Sequence, residues 1–559
     1  MKKIKFLYIA LITTMLVGSC KQEPIIPATP VAVTPAPAFK GTADFTKFIV
    51  LGDSYSAGMQ GGALFDEGQA ASMAKIMANQ FSAVGGGAFN QPDINHVNGY
   101  NSSASTPGMG IFRGRFILFD PDGATDPDGA GCQVSRSAGP KAAGTPAVTT
   151  QPTSCDPPIT LAVPAPYNTA QTPAGPAWLF DPTKIAALNN FGVPGARIIH
   201  ANIPGYGVGN PFFGRFGTSV GASMIGDATA KAGSFFMLYL GNFDILNYAT
   251  AGGVGNPNGT GSVDMTPEAV FTPSYTGNLT AMLATPNSKG VVGTIPDITT
   301  LPFFFTVLWN AIEFKVANCT DAATIASLNG ATGFGGYNSA LDFFASAAGG
   351  NAITPAEAAS RKVFYAYGKN GILIADETLT NLTAQFVGPF AALAPYVITR
   401  QAKATDLITL SAGAILGTCQ IPPGGTVPSA SYVGGVSAPL ADQFVLLPTE
   451  IADIQARTNA FNVIITNAAA ANVDLAVADV NKAYKDLLAA KAMVIDGVTI
   501  TPSFAPPAGA FSEDGLHPNG RGYAFTANVF ISAINAKFGA NVYKANVAAY
   551  APTKLPVVP

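Results

Sequence analysis

The stretch Phe48-Ile49-Val50-Leu51-Gly52-Asp53-Ser54-Tyr55 decides the fold class of this chain. Four consecutive apolar residues predict a buried strand, and the Gly-Asp that follows predicts a turn at its carboxyl end. Similar apolar runs, each followed by glycine or polar residues, recur at Phe235–Leu240, Val291–Ile295 and Leu475–Val480. Helical periodicity lies between them, most clearly over Thr449–Ala471. This alternation predicts an α/β fold, a three-layer α/β/α sandwich whose mainly parallel sheet has helices on both faces.

Ser54 follows the first predicted strand, at the place where α/β sheets collect their catalytic residues. A serine hydroxyl needs an adjacent base to become a nucleophile. Asp514 and His517, three positions apart near the C-terminus, can supply that base and the carboxylate that orients it. The sequence therefore predicts Ser54 as nucleophile, His517 as general base and Asp514 as its orienting carboxylate.

Four segments resemble, in order, the sequence blocks of the SGNH/GDSL hydrolase superfamily, in the form of its bacterial lipoprotein-type members: Gly52–Gly58, Asn190–Ala196, Gly241–Asp244 and Asp514–Pro518. The resemblance implies an SGNH or flavodoxin-like sandwich and acyl transfer to Ser54. It implies oxyanion-hole donors from the backbone N–H groups of Ser54 and Gly195. It implies no cofactor and no metal.

The third block departs from the family's Gly-x-Asn-Asp pattern. Phe243 stands where the family has the Asn that completes the oxyanion hole, and Asn242 precedes it. Loss of one such donor lowers a rate by about 10²–10³. Asn242 could serve instead if the loop is shifted by one residue, although adjacent side chains leave a strand end in opposite directions. We expect reduced rather than absent activity.

These residues predict a serine-dependent esterase for a small-molecule, lipid or glycan ester. The alternative is a catalytically weakened surface lipoprotein that binds glycan or lipid on the same scaffold. A rival nucleophile is Ser219, because Gly217–Gly221 matches the G-x-S-x-G elbow, although no hydrophobic strand precedes it. The other histidines, His96 and His200, are predicted to be surface or structural residues.

The N-terminus predicts export. A short lysine-rich start precedes the apolar stretch Phe6–Val17, which is too short to span a bilayer. Val17-Gly18-Ser19-Cys20 resembles a bacterial lipobox, which implies lipidation of Cys20; an ordinary secretory signal with a chance cysteine is the alternative. We predict a signal peptide at 1–19, a Pro/Ala-rich tether at 20–40, and a lipid anchor in the bacterial membrane, at the outer membrane or cell surface.

The predicted hydrolase domain covers 41–545 and a C-terminal tail covers 546–559. Two segments do not fit the strand-helix alternation and are predicted insertions, at about 100–178 and 306–443. The second is predicted to form a helical cap over the site, with helices at Pro355–Tyr367 and Asp376–Phe390. The apolar Leu301–Ile312 predicts buried core, a buried helix or the wall of an acyl pocket.

Composition limits the partners. Only 11% of residues are charged and the formal net charge is -3, which argues against nucleic acid or an anionic surface as a partner bound through a basic patch. The sequence does not indicate an oligomeric state.

Besides Cys20 there are four cysteines, an even number that predicts two disulfides in an exported chain. Three connectivities are possible. Cys132–Cys155 with Cys319–Cys419 is favoured, because each pair lies in one predicted insertion. Asp120–Gly129 carries four carboxylates, which predict either solvated acidic turns or a calcium site.

Overall fold

The apolar runs of the sequence form the strands of one parallel sheet. The computed structural model describes residues 36–101, 114–119, 139–142, 180–316, 318 and 320–556. The five strands are β1 (Phe48–Gly52), β2 (Asn190–Gly192), β3 (Phe235–Tyr239), β4 (Lys289–Gly293) and β5 (Leu475–Ala478). The sequence predicted all of these strands except β2, which is only three residues long.

The strands lie in the order β5-β4-β3-β1-β2, and every neighbouring pair is parallel. This order is one of the two common orders of doubly wound sheets. The chain runs outward in opposite directions from β1 and β3, and the carboxyl ends of these two strands border a crevice where such sheets bind ligands. Ser54 follows β1 and Asn242 follows β3, so both lie at this crevice.

Fourteen α-helices occur in the described residues, in chain order α1 (Ser54–Ala57), α2 (Asp66–Ala70), α3 (Met73–Phe81), α4 (Tyr206–Gly209), α5 (Pro211–Gly214), α6 (Met224–Thr229), α7 (Phe243–Thr250), α8 (Glu268–Leu283), α9 (Asp321–Asn329), α10 (Phe334–Phe344), α11 (Pro355–Arg361), α12 (Pro448–Ala470), α13 (Val480–Ala490) and α14 (Gly520–Phe538). The predicted helix at Thr449–Ala471 is α12, displaced by one residue at each end.

Two groups of helices pack on the sheet. α3 and α14 cover one group of strand side chains, as the ring contacts Phe48–Phe81 (4.9 Å) and Tyr239–Phe530 (5.4 Å) show. In the other group, α12 contacts β5 and α6 contacts β1, and α8 joins both helices. The result is a mixed α/β fold, compatible with an α/β sandwich.

A second hydrophobic cluster is formed by residues between Ile312 and Leu447. Nearly all of its members belong to residues 306–443, which we call the peripheral segment. This segment contains α9, α10 and α11 and short antiparallel strand pairs, one of which is completed by Val445–Leu446 beyond its end. These are Ile312–Phe314 with Gly368–Asn370, Leu373–Ala375 with Thr399–Gln401, Leu407–Ile408 with Val445–Leu446, and Cys419–Gln420 with Ser429–Val433. Two further pairs lie elsewhere, Phe116–Phe119 with Gly139–Ala142 and Met493–Ile495 with Val498–Ile500.

The helix predicted at Asp376–Phe390 is wrong. Asp376 Oδ1 accepts from the Thr378 N–H at 2.9 Å, and Asn381 Oδ1 accepts from the Thr383 N–H at 2.9 Å. Such short-range bonds compete with helical ones. Only a 3₁₀ segment, Gly388–Tyr396, follows.

The helix predicted at Pro355–Tyr367 stops at Arg361. Beyond it, the Val363 N–H donates to Asn338 Oδ1 at 2.9 Å and the Tyr365 N–H to Asn329 Oδ1 at 3.0 Å. These side chains from α10 and the end of α9 take the backbone donors that another helical turn would use.

Leu301–Ile312 contains the 3₁₀ turn Pro302–Phe304 and no α-helix. Leu301 and Phe304 are buried in the core, whereas Phe303 is half-buried. Among the described helices, none combines the length and hydropathy needed to cross a bilayer.

Several predicted features lie outside the described residues. They are Cys20 with its signal peptide, Asp120–Gly129, Cys132, Cys155 and Cys319. Cys419 is buried at the start of a two-residue strand. Lipidation, both disulfides and the calcium alternative therefore stay predictions.

Candidate active site

Ser54 is held at a tight turn between β1 and α1. Asp53 caps α1 by accepting the Tyr55 N–H at 3.0 Å. Gly52 has no room for a side chain, since a Cβ there would lie 2.1 Å from Ser56 Oγ. The end of β1 and the cap therefore place Ser54 as the first residue of a helix at the carboxyl edge of the sheet.

Ser54, His517 and Asp514 form one hydrogen-bonded chain. His517 Nε2 lies 2.8 Å from Ser54 Oγ, and His517 Nδ1 lies 2.7 Å from Asp514 Oδ2. All three side chains are buried, with exposed fractions of 1%, 5% and 6% for Ser54, His517 and Asp514. The structure thus brings together the three residues of the predicted triad, although Ser54 and His517 are 463 positions apart.

The loop that carries Asp514 and His517 is held by hydrogen bonds between its own residues. Asp514 Oδ1 accepts the backbone N–H groups of Leu516 and His517, both at 2.9 Å. Gly515, at φ +69°, has a left-handed conformation, and a Cβ there would lie 2.8 Å from the Phe303 nitrogen. The position therefore requires glycine.

The pKa of the buried Asp514 carboxyl lies below its ordinary value. Burial alone would raise its pKa, but the neighbouring His517 and the N–H donors of His517 and Leu516 outweigh burial and lower the pKa below its ordinary value. An ionised Asp514 can hold the His517 tautomer whose Nε2 is free to accept a proton.

Contacts that the sequence did not reveal join the first block to the last. The Tyr55 hydroxyl donates to the Leu516 carbonyl at 2.9 Å, and the Gly62 N–H donates to Asp514 Oδ2 at 2.6 Å. The Gly61 N–H donates to Ser512 Oγ at 2.8 Å. Each of these bonds has one backbone partner, which any residue type supplies, so no sequence signal could identify the pairs.

Gly195 lies on the loop after β2, beside the nucleophile's strand. Its φ of +79° is left-handed, and a Cβ there would lie 3.7 Å from Phe243 Cε1. Within the described part of the chain, no acceptor bonds the backbone N–H of either Ser54 or Gly195. The predicted role of these two donors in an oxyanion hole stays a prediction, and the Phe243 ring lies beside Gly195.

The Gly195 loop is held by hydrogen bonds to side chains that lie outside it. Asn210 Nδ2 donates to the Pro194 carbonyl at 2.9 Å, and the Ile198 N–H donates to Asp244 Oδ2 at 2.8 Å. Asp244 is fully buried, and this burial raises its pKa to about 7. The loop is positioned by side chains from two other segments.

Asn242 has a different partner from the one its predicted role requires. Its Nδ2 donates to Asp53 Oδ2 at 2.8 Å, which occupies one of the two N–H donors of the amide. Burial raises the pKa of Asp53 to about 6, and the bonds from Asn242 and Tyr55 limit the rise. Asn242 therefore supports the residue that precedes the nucleophile.

The rival nucleophile Ser219 is exposed, and α5 rather than a strand precedes it. The two other histidines have structural partners: His96 Nδ1 accepts from Asn98 N at 3.1 Å, and His200 Nδ1 accepts from Arg197 N at 3.1 Å. Burial and the nearby Arg197 lower the pKa of His200 to about 4.

One group of described residues has metal-ligand spacing: Glu377, Asp442 and Glu450, whose oxygens lie within 4.8 Å of one another. Glu450 already accepts the Leu447 N–H at 2.7 Å as part of the α12 cap. No member of the group belongs to the Ser54 site.

No family model, no curated protein and no solved structure matches this chain.

Proposed function

We propose that this protein is a serine-dependent carboxylic ester hydrolase of the SGNH type. The observation that carries the proposal is the hydrogen-bonded chain from Ser54 Oγ through His517 to Asp514. Nucleophile, base and orienter within hydrogen-bond distance are the constellation that acyl transfer to serine requires.

In the proposed reaction His517 Nε2 takes the Ser54 proton as Oγ attacks the ester carbonyl. The N–H groups of Ser54 and Gly195 donate to the oxyanion of the tetrahedral intermediate. The intermediate collapses to an acyl-serine, and the leaving alkoxide takes the proton from His517. Water, activated by the same imidazole, then releases the acid and restores Ser54.

The SGNH assignment has two supports besides the four sequence blocks. The sheet order and the place of Ser54 after β1 fit a flavodoxin-like sandwich. The peripheral segment reaches the catalytic loop, since Leu410 Cδ2 lies 3.3 Å from the place of a Cβ on Gly515. This contact supports the interpretation of residues 306–443 as a cap inserted into the hydrolase domain.

The oxyanion hole in this proposal has two backbone donors and no side-chain donor. The Phe243 ring lies beside Gly195 and supplies no donor, and Asn242 is bonded to Asp53. Turnover is therefore slower by about 10²–10³ than with a complete hole.

The lack of a side-chain donor in the oxyanion hole favours the second candidate, a lipoprotein that binds a glycan or lipid without turnover. A scaffold that only binds has no need of an aligned base and carboxylate, so the intact triad geometry favours catalysis. Under either candidate we propose export and lipidation at Cys20, which would hold the protein at the bacterial membrane.

Hydrolysis of a p-nitrophenyl butyrate ester by the purified mature protein tests the proposal. We expect turnover that Ser54→Ala and His517→Ala each lower by at least about 10³, with Ser219→Ala as the matched serine control that keeps wild-type activity. Turnover that persists in Ser54→Ala would contradict the proposal.

A further inference from the structure

Three carboxylates lie together where the peripheral segment meets the helices that cover the sheet. Glu377 and Asp442 belong to the peripheral segment, and Glu450 is the third residue of α12. One oxygen from each carboxylate lies within 4.8 Å of the other two. Oxygens that share one Ca²⁺ lie about 2.3–2.6 Å from the ion, so they are at most about 5 Å apart. The spacing of the three oxygens therefore fits the ligands of a single cation.

Glu450 is the buried member of this group. It is 7% exposed, and its Oε2 accepts the Leu447 N–H at 2.7 Å. Its Oε1 lies against the loop that follows α7, where it leaves no room for a Cβ on Gly253. No donor in the described part of the chain bonds this second oxygen. The carboxylate is therefore held in place with one oxygen free to bind a ligand.

A buried hydroxyl lies at the same place. Tyr248, on α7, is 3% exposed, and its hydroxyl has no hydrogen-bond partner among the residues that the structure describes. Burial, followed by the charges of Glu450 and the acidic groups around it, raises the pKa of this hydroxyl. The hydroxyl is therefore directed towards the carboxylates. A buried polar group without a partner indicates a water or an ion beside it.

The negative charge of the three carboxylates is not balanced by a described side chain. None of them forms an ion pair with a described Lys, Arg or His, and Arg400 is already bonded to Asp376 and Asp406. Burial and the neighbouring carboxylates raise the pKa of Glu450 to about 8. A shared proton would relieve this repulsion only through a hydrogen bond at Glu450 Oε1, and the described residues form none there. A bound cation would relieve it without such a bond.

We infer that Glu377, Asp442 and Glu450 bind a divalent cation, with Ca²⁺ preferred over Mg²⁺. Carboxylate and hydroxyl oxygens are ligands for hard cations, and Ca²⁺ accepts irregular sets of them, whereas Mg²⁺ requires near-ideal octahedral geometry. The ion would connect the peripheral segment to α12 and stabilise the folded protein. This inference is independent of the proposed esterase function, because no ligand belongs to the Ser54 site.

Titration of Ca²⁺ into the EDTA-treated, dialysed mature protein, followed by isothermal calorimetry, tests the inference. We expect one bound Ca²⁺ with a Kd of about 10⁻⁴–10⁻³ M, as in extracellular calcium modules, and weaker binding of Mg²⁺. In scanning calorimetry, Ca²⁺ at about 10 mM should raise the thermal midpoint by about 1–3 °C.

Glu377→Gln removes an exposed ligand and should weaken Ca²⁺ binding by about tenfold or more. Glu450→Gln should do the same, and its amide oxygen can still accept the Leu447 N–H of the α12 cap. Asp342→Asn is the control: it removes the same charge from a 60% exposed side chain of the peripheral segment and should leave Ca²⁺ binding unchanged.

Tb³⁺ luminescence excited through tyrosine gives a second readout, which Ca²⁺ should suppress by competition and Tyr248→Phe should weaken. A wild type that shows neither heat of binding nor a Ca²⁺-dependent midpoint would overturn the inference. Equal Ca²⁺ affinity in the wild type and in Glu377→Gln would also overturn it, since the ion would then bind elsewhere. Mg²⁺ binding as tight as that of Ca²⁺ would overturn the stated preference. Ester hydrolysis by Ser54 stands or falls separately from each of these results.

Discussion

The parallel-sheet unit and the peripheral segment are stabilised in different ways. Around the sheet the core is aromatic, as in the stacked pair Phe45–Phe81 at 4.2 Å. The peripheral segment has a hydrophobic cluster of its own and also buries a cation between two carboxylates: Arg400 bonds Asp376 at 2.5 Å and Asp406 at 2.6 and 2.9 Å. The stability of the peripheral segment therefore depends on a buried charge network as well as on apolar packing.

Asp514→Asn is expected to have the largest effect and to be confined to the sheet unit. The amide cannot hold His517 in the tautomer that accepts the Ser54 proton, so kcat should fall by about 10⁴. The thermal midpoint should fall only modestly, because Oδ1 can still accept the N–H groups of Leu516 and His517, although the bond from the Gly62 N–H to Oδ2 is lost. Ester kinetics and calorimetry check this. A loss of activity that only follows unfolding would contradict a catalytic role.

Arg400→Met tests the stability of the peripheral segment, whereas Asp514→Asn tests catalysis. It leaves Asp376 and Asp406 buried without their cation, which should cost about 3–5 kcal/mol of unfolding free energy. Urea denaturation measures this cost. Lys362→Met is the control, since the Lys362–Asp342 pair is largely exposed and is worth less than about 1 kcal/mol. If both variants lost equal stability, the proposed contrast between the two units would be wrong.

Phe243→Asn restores the side chain that the oxyanion hole lacks. The new amide donor beside Gly195 should raise kcat by about 10–10². Phe243→Leu removes the ring without adding a donor and should not raise kcat. No gain in the Asn variant, with the fold intact, would show that a missing donor does not limit the rate.

Asp244→Asn should change the pH dependence of stability. The pKa of Asp244 is raised by burial to about 7 in the folded protein, so the folded state retains a proton that the unfolded state has lost. Stability therefore falls as pH rises from about 4 to 7, and this loss is absent in the variant. Between pH 5 and pH 8 the wild type should lose about 2 kcal/mol more than Asp244→Asn. Equal losses in urea titrations would contradict this assignment.

The sequence predicted the inner strands and the triad because both depend on local patterns. β1 and β3 are apolar runs, and Asp514 and His517 are close in sequence. β2 was missed because its three residues show no run of their own: Asn190–Gly192 becomes a strand by pairing with Val50–Gly52.

The remaining contacts could not be predicted from the sequence, because they join residues that are far apart along the chain. The Asn242–Asp53 bond joins residues 189 positions apart and requires the final arrangement of β1 and β3. Similarly, Asp376, the first residue of the helix predicted at Asp376–Phe390, bonds Thr378 and Arg400 instead, and the second partner is 24 positions away. Helical periodicity alone cannot register such competition from side chains.

The proposed function requires that His517 activates Ser54. Reaction of the mature protein with a fluorophosphonate, read by intact mass, measures this activation, with Ser54→Ala and Ser219→Ala treated in parallel. We expect one adduct in the wild type and in Ser219→Ala, and none in Ser54→Ala. An unlabelled wild type, or an adduct that survives in Ser54→Ala, would contradict it.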